Sequence, residues 1–196
     1  MTQQYQAELD LFISVNNVKR ELASGEEPAA KVQKVVKPAY TFNVNKALDK
    51  AHETKTFNEI LDLPPSALQG LAESADAKLA KMKIHTIRDL GNWKFYKISR
   101  AIVALAATEE EGKRDPAGNA NLNHALDKAY EVKSLAEIVE APISALSGLA
   151  EWVDEEVHSF RPAIKSISDL AVWQYCQWAE AIIILAEFEN TNHSSR

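Results

Sequence analysis

A long internal repeat sets the terms for this chain. Residues 45–73 read NKALDKAHETKTFNEILDLPPSALQGLAE, and residues 123–151 read NHALDKAYEVKSLAEIVEAPISALSGLAE. Ala47 and Ala125 stand 78 positions apart, as do Gly70 and Gly148. Farther on, IRDLGNW at 87–93 answers ISDLAVW at 167–173 at a spacing of 80, so the second copy holds a two-residue insertion. A tandem duplication of this length predicts two like units before any secondary structure is considered. It also weighs against most enzymes, whose active sites are single and asymmetric.

The chain has 196 residues, enough for one ordinary domain or two small ones. A hydrophobic share of 46% argues for a packed core and against disorder. Six Gly and seven Pro are few for a loop-rich all-β fold, whereas the abundant Ala, Leu, Glu and Lys favour helix. The net charge of −6 makes nucleic acid an unlikely default partner, because phosphate is repelled. Cys176 is the single cysteine, which excludes an intramolecular disulfide and a multi-cysteine metal site. It reads as a buried apolar residue on a helix. MTQQYQAELDLFIS lacks a basic region followed by an apolar run, so a secretory signal is not expected there. The most apolar window, 171–188, holds Glu180 at its middle and reads as a buried helix rather than a membrane span.

Periodicity and punctuation divide the chain into an N-terminal helix and arm at 1–42, a first repeat at 43–110, a linker at 111–121, a second repeat at 122–190 and a tail at 191–196. Each repeat reads as a string of short helices. The first spans 44–53. The next starts at a capping box, Thr56 with Glu59 or Ser134 with Glu137. Pro64 and Pro142 open a helical turn, and Gly70 and Gly148 break it. Helices follow at 73–82 and 151–160. Thr86 or Ser166 then caps a short segment before a long helix, 93–110 or 173–189. The expected fold is all-α, with the two repeats packed together about a pseudo-twofold axis, since each is too small for a generous core.

Leu68-Gln69-Gly70-Leu71-Ala72, the helix after it and Ile84-His85-Thr86-Ile87-Arg88-Asp89-Leu90 resemble a helix-hairpin-helix motif. Leu146-Ser147-Gly148-Leu149-Ala150 and Ile167-Ser168-Asp169-Leu170 repeat the pattern. In that family the hairpin amides and the following helix start hold a DNA phosphate. Here the second hairpin glycine is Ala72 or Ala150, and the next residue is Glu73 or Glu151. An acid occupies the place of the anion, so the resemblance implies a degenerate, protein-binding form of the module. The longer pattern P-x-x-A-L-x-G-L-x-E, I-x-D-L-x-x-W and A-I-x-x-L-A is similar to repeats in algal plastid proteins, including helical linker subunits beside light-harvesting antennae. That second resemblance implies a plastid location, a photosynthetic supercomplex as the setting and chlorophyll as an optional ligand. Without it the location is cytoplasmic, soluble or peripheral.

Candidate interface residues follow from differences between the copies. Basic residues gather in the first copy at Lys78, Lys81, Lys83, Arg88, Lys94, Lys97 and Arg100, while the second copy is acidic or neutral there. They read as a solvated surface, a patch for an acidic partner, a nucleic-acid face or a charge contact between the repeats. Trp152 replaces Ser74 and Trp178 replaces Ile98, and Tyr40 and Phe42 precede the first repeat as anchors. Trp93 and Trp173 are equivalent and belong to the core. The histidines His52, His85, His124 and His158 show no metal-binding spacing and are at most axial ligands to a pigment. No catalytic motif is present, and no cofactor is required. The leading expectation is a non-enzymatic linker subunit that binds other proteins, with any membrane contact peripheral. The alternative is a nucleic-acid-associated protein using the basic face of the first repeat.

Overall fold

The computed structural model describes residues 41–190, and those residues are helical, without a sheet. The first half holds α1 (Phe57–Leu61), α2 (Ser74–Lys81), α3 (Ile87–Gly91) and α4 (Lys94–Ala106). The second holds α5 (Leu135–Ile138), α6 (Trp152–His158), α7 (Ile167–Ala171) and α8 (Gln174–Ala186). The long helices α4 and α8 both have 13 residues. Of the helix and arm expected at 1–42, residues 1–40 lie outside the described residues, as does the tail expected at 191–196.

Helix starts follow the polar caps. Thr56 Oγ1 accepts from the Glu59 amide at 3.2 Å, and the Glu59 carboxylate accepts from the Thr56 amide at 2.8 Å. Ser134 and Glu137 form the same box, as do Thr86 and Asp89. Ser166 caps α7 through the Asp169 amide at 3.2 Å. Each such pair satisfies backbone donors that a short helix leaves orphaned. The Thr56 and Ser134 amides hold the Glu59 and Glu137 carboxyls below the usual range. Burial raises the Asp89 carboxyl, but bonds from the His85 amide and Thr86 outweigh it and leave its pKa lowered.

The helix expected at 44–53 is not formed. Two 3-10 turns, Asn45–Ala47 and Lys50–His52, flank an extended Leu48–Asp49. The Asp49 amide bonds the Ala67 carbonyl at 3.0 Å, and the Gln69 amide bonds Ala47 at 3.0 Å. This bridge draws Leu48 onto Leu68, and Leu126 onto Leu146 in the second half. All four leucines are buried. Burying them outweighs the propensity of a segment shorter than a stable isolated helix. Gly70 and Gly148 follow with φ of 91° and 98°, a left-handed turn that glycine adopts without penalty. The long helices end three or four residues before the expected limits, at Ala106 and Ala186.

The halves share one core, and they share it by exchange. Helix α8 packs against α3 and α1 of the first half, while α4 packs against α7 and α5 of the second. Glu109 and Glu189 lock the exchange. The Glu189 carboxylate accepts from the Phe57 amide at 2.8 Å and the Asn58 amide at 3.1 Å. The Glu109 carboxylate accepts from the Leu135 and Ala136 amides at 3.0 and 2.9 Å. Each acid therefore lies at the positive end of a helix belonging to the opposite half. The core unites Leu68, Leu79, Ile87, Leu90 and Tyr96 with Leu146, Ile164, Ile167, Trp173 and Cys176.

Candidate interaction surface

The basic residues of the first half meet the acidic second half, and the exchange brings them there. Lys78 Nζ donates to Ser159 Oγ, and Lys81 Nζ pairs with the Glu156 carboxylate. Positions 78 and 156 are sequence equivalents, as are 81 and 159. The two contacts thus form one reciprocal crossing between α2 and the α6 end, with opposite charges on its two sides. Lys78 Nζ also stands 6.0 Å from the Phe160 ring centroid.

A second crossing of the same kind joins the long helices. Arg100 and Glu180 are sequence equivalents and pair directly, with the Glu180 side chain 13% exposed. Tyr96 donates its hydroxyl to Glu180 Oε2 at 3.1 Å. Burial, reinforced by Glu180, pushes the Tyr96 phenol up to about 12. Cys176, the equivalent of Tyr96, is fully buried, and burial raises its thiol well above the ordinary value. A neutral buried thiol is a poor nucleophile and packs as a small apolar group.

The other basic candidates have local partners. Arg88 pairs with Asp62 at 3.0 Å, Lys97 Nζ donates to Asn92 Oδ1 at 2.9 Å, and Lys94 Nζ lies 4.4 Å from the Phe95 ring centroid. Lys83 is exposed at φ 61° in the turn after α2. The exposed Arg88–Asp62 pair contributes about 0–1 kcal/mol. Among these four, Arg88 has its charge offset by a carboxylate close to where it sits.

The hairpins of the helix-hairpin-helix resemblance are engaged as well. A Cβ at Gly70 would stand 3.1 Å from the Tyr175 hydroxyl, and one at Gly148 3.8 Å from the Phe95 ring. Positions 95 and 175 are equivalents, so an aromatic residue of each half sits beside the hairpin of the other. In the first turn of the following helix, Asp76 accepts from the Ser66 amide at 2.9 Å, and Asp154 from the Ser144 amide at 3.1 Å. Glu73 and Glu151 are exposed at the helix starts. These carboxylates place negative charge where a phosphate would approach.

The aromatic candidates separate by burial. Trp93 and Trp173 are core residues, and Trp173 stacks on Phe160 at 5.2 Å. Trp178 is half-buried, edge-on to Tyr175 at 5.7 Å. Trp152 is 44% exposed at the start of α6. Phe42 is 70% exposed and stacks on Phe57 at 6.3 Å. Tyr40 lies outside the described residues. His85, His124 and His158 are exposed and His52 is half-buried. No group of three or more metal-ligating side chains occurs among the described residues.

Sequence reasoning missed three features. Glu109 and Glu189 were detectable as the same acid at the end of both long helices. Arg100 and Glu180 were detectable as opposite charges at equivalent positions. The third is an open groove of about 910 Å³ bounded by α4, the connector at 114–123 and α5. Exposed Leu105 and Val132 line it, Val132 at 91% exposure. Phe188, 80% exposed, adds apolar surface at the end of α8. No helix among the described residues is long and apolar enough to cross a membrane. No protein-family model matches the chain, and neither does any curated protein or solved structure.

Proposed function

We propose that this chain is a non-catalytic linker subunit that holds other proteins in a larger assembly. The observation carrying this reading is the contrast between its charges and its apolar surface. Lys81, Arg88 and Arg100 of the first half are paired with carboxylates within the molecule, whereas Phe42, Leu105, Val132, Val172 and Phe188 stand exposed. Leu105 and Val132 border one open groove, and contiguous exposed apolar surface on a folded module is the ordinary mark of protein contact. We read the module as two homologous, degenerate helix-hairpin-helix-like repeats behind an N-terminal helical arm. The left-handed glycines and the aromatic residue beside each hairpin support that reading. A photosynthetic light-harvesting complex in a plastid is the specific setting, with chlorophyll an optional ligand.

The test is size-exclusion chromatography of the native protein from its own cell extract in mild detergent, with visible absorbance recorded across the peak. Elution in a large particle with co-migrating pigment is the expected result. Colourless elution at the mass of one chain sinks the antenna reading. The nucleic-acid alternative rests on Lys83, Lys94 and Lys97. It requires salt-dependent binding that disappears when Lys78, Lys81 and Lys83 are reversed in charge. The pairing of Lys81 with Glu156 across the halves weighs against it.

A further inference from the structure

The two halves are joined by a segment that is bonded to neither core. Residues 111–121 are exposed throughout. Among the described residues, their hydrogen bonds and ion pair reach no farther than Glu110 and Asn123. Lys113 pairs with Glu110 at 2.9 Å, and Arg114 donates to the Gly118 and Ala120 carbonyls at 3.4 and 3.2 Å. The Ala117 amide donates to Asp115 Oδ1, and the Asn121 side chain donates to the Asn119 carbonyl. Asn121 Oδ1 accepts in turn from the Asn123 amide. The segment borders the groove beside α4 and α5 without a hydrogen bond to either helix.

What completes each half comes from the opposite half instead. Helix α8 closes the first against α3 and α1, and α4 closes the second against α7 and α5. None of these contacts requires the two halves to be one peptide. The charges then decide which half can supply them. If two first halves paired, Arg100 would meet a second Arg100, and Lys81 would meet a second Lys78. If two second halves paired, Glu180 would meet a second Glu180. Only a first half against a second half sets opposite charges together at both crossings, Lys81 with Glu156 and Arg100 with Glu180.

We propose that the interface between the halves is also an interface between copies of this chain. Hinged at 111–121, one chain takes the second half of another and gives its own in return. The product is a swapped dimer in which both exchanges of α4 and α8 run between chains. The charge rule excludes dimers joined through like halves. One core unites residues of both halves, so the exchange takes place while chains fold, not between folded monomers. The buried contacts are the same in both forms, and raising the concentration during folding therefore favours the dimer. This partner is a second copy, and its assignment does not depend on the linker-subunit reading.

The test uses two full-length chains with reversed charges. One carries Lys81→Glu and Arg100→Glu, the other Glu156→Lys and Glu180→Arg. Each alone sets like charges together within one molecule, whereas a swapped pair of the two restores both contacts in both exchanges. Equal amounts are unfolded together, refolded and weighed by native mass spectrometry. The mixed dimer is expected in at least tenfold excess over either like dimer, and it persists on dilution. Monomers alone, or the three dimers in statistical proportion, overturn the proposal. So does a mixed dimer that forms equally well when folded chains are simply combined, since that is a surface contact. The unmodified chain gives a reading that does not depend on how the reversed chains fold. A blend of light and heavy-isotope-labelled protein is refolded at increasing concentration. A growing fraction of dimers of intermediate mass is expected, and their absence overturns the proposal whatever the reversed chains do.

Discussion

The two crossings of the exchanged long helices are built from the same positions, yet they are not alike. Where α3 meets α8, the contact residue is Gly91. A Cβ there would stand 2.6 Å from the Ala179 carbonyl carbon and 2.7 Å from the Glu180 nitrogen. Where α7 meets α4, the equivalent residue is Ala171, buried with its methyl in place, and Ala179 is answered by Ser99. Helix separation depends on the side chains at the contact, and the first crossing has closed until backbone touches backbone. A duplicated frame thus keeps its topology while its halves settle at different separations. One glycine, unfavourable in a helix by about 1 kcal/mol relative to alanine, is the condition for the closer one.

The sharpest way to break this comparison is Gly91→Ala. Helix propensity favours the alanine, but the methyl meets main chain that cannot give. We expect a net loss of about 3 kcal/mol in chemical denaturation, the upper range for overpacking. A neutral or stabilising result would show that the crossing opens freely. Next in size is Arg100→Glu, which sets a second carboxylate beside the largely buried Glu180. A loss of about 2 kcal/mol is expected, discounted because the Arg100 side chain is 53% exposed. Combining it with Glu180→Arg restores much of that loss, and failure of the double variant to recover would deny the pairing its role.

The third prediction concerns alkaline pH. The folded chain holds the Tyr96 proton to about 12, against about 10 for an unperturbed phenol. A group whose pKa is raised on folding stabilises fully below its unfolded value and loses that contribution as pH rises through the folded one. Melting temperature should therefore fall between pH 10 and 12, with a shallower fall in Tyr96→Phe. Tyrosinate absorbance should lose its highest step in that variant. The smallest effect belongs to Ser99→Ala. The Ser99 hydroxyl is buried without a hydrogen-bond partner, and its equivalent is already Ala179. Removing an unsatisfied hydroxyl should stabilise by about 1 kcal/mol, read from the denaturation midpoint. Destabilisation would mean that the hydroxyl has a partner after all.

Local chemistry was legible in the sequence where it is decided within a few residues. The capping pairs at Thr56, Ser134 and Thr86, the glycine turns and the buried Trp93 and Trp173 all belong to that class. The segment 44–53 was misread because its decisive partner, Leu68, lies twenty residues away in a bridge that no periodicity reports. The exchange of α4 and α8 was illegible for a related reason. Periodicity marks an apolar face on each long helix but not which half it faces, and contacts such as Glu189 to Phe57 join it to the opposite one. For the basic residues of the first half the sequence left a solvated surface, a partner patch, a nucleic-acid face and a charge contact between the repeats open, for the same reason. Their partners, Glu156, Ser159 and Glu180, become neighbours only once the halves are interlocked. The groove was hidden because Gly118 and Ala120, which line it, resemble ordinary turn residues in a connector.

The interlocked helices change what the connector at 111–121 is for. It is exposed throughout, and the fold on either side depends on the opposite half rather than on this peptide. A protease that nicks it would release no domain; it would leave two fragments clasped through α4 and α8. The connector then acts as a tether, raising the local concentration of one fragment at the other to the millimolar range typical of short flexible links. Severed or encoded as two genes, the halves would reassemble by complementation. The opposite charges of Lys81 and Glu156, and of Arg100 and Glu180, would favour unlike fragments over like ones.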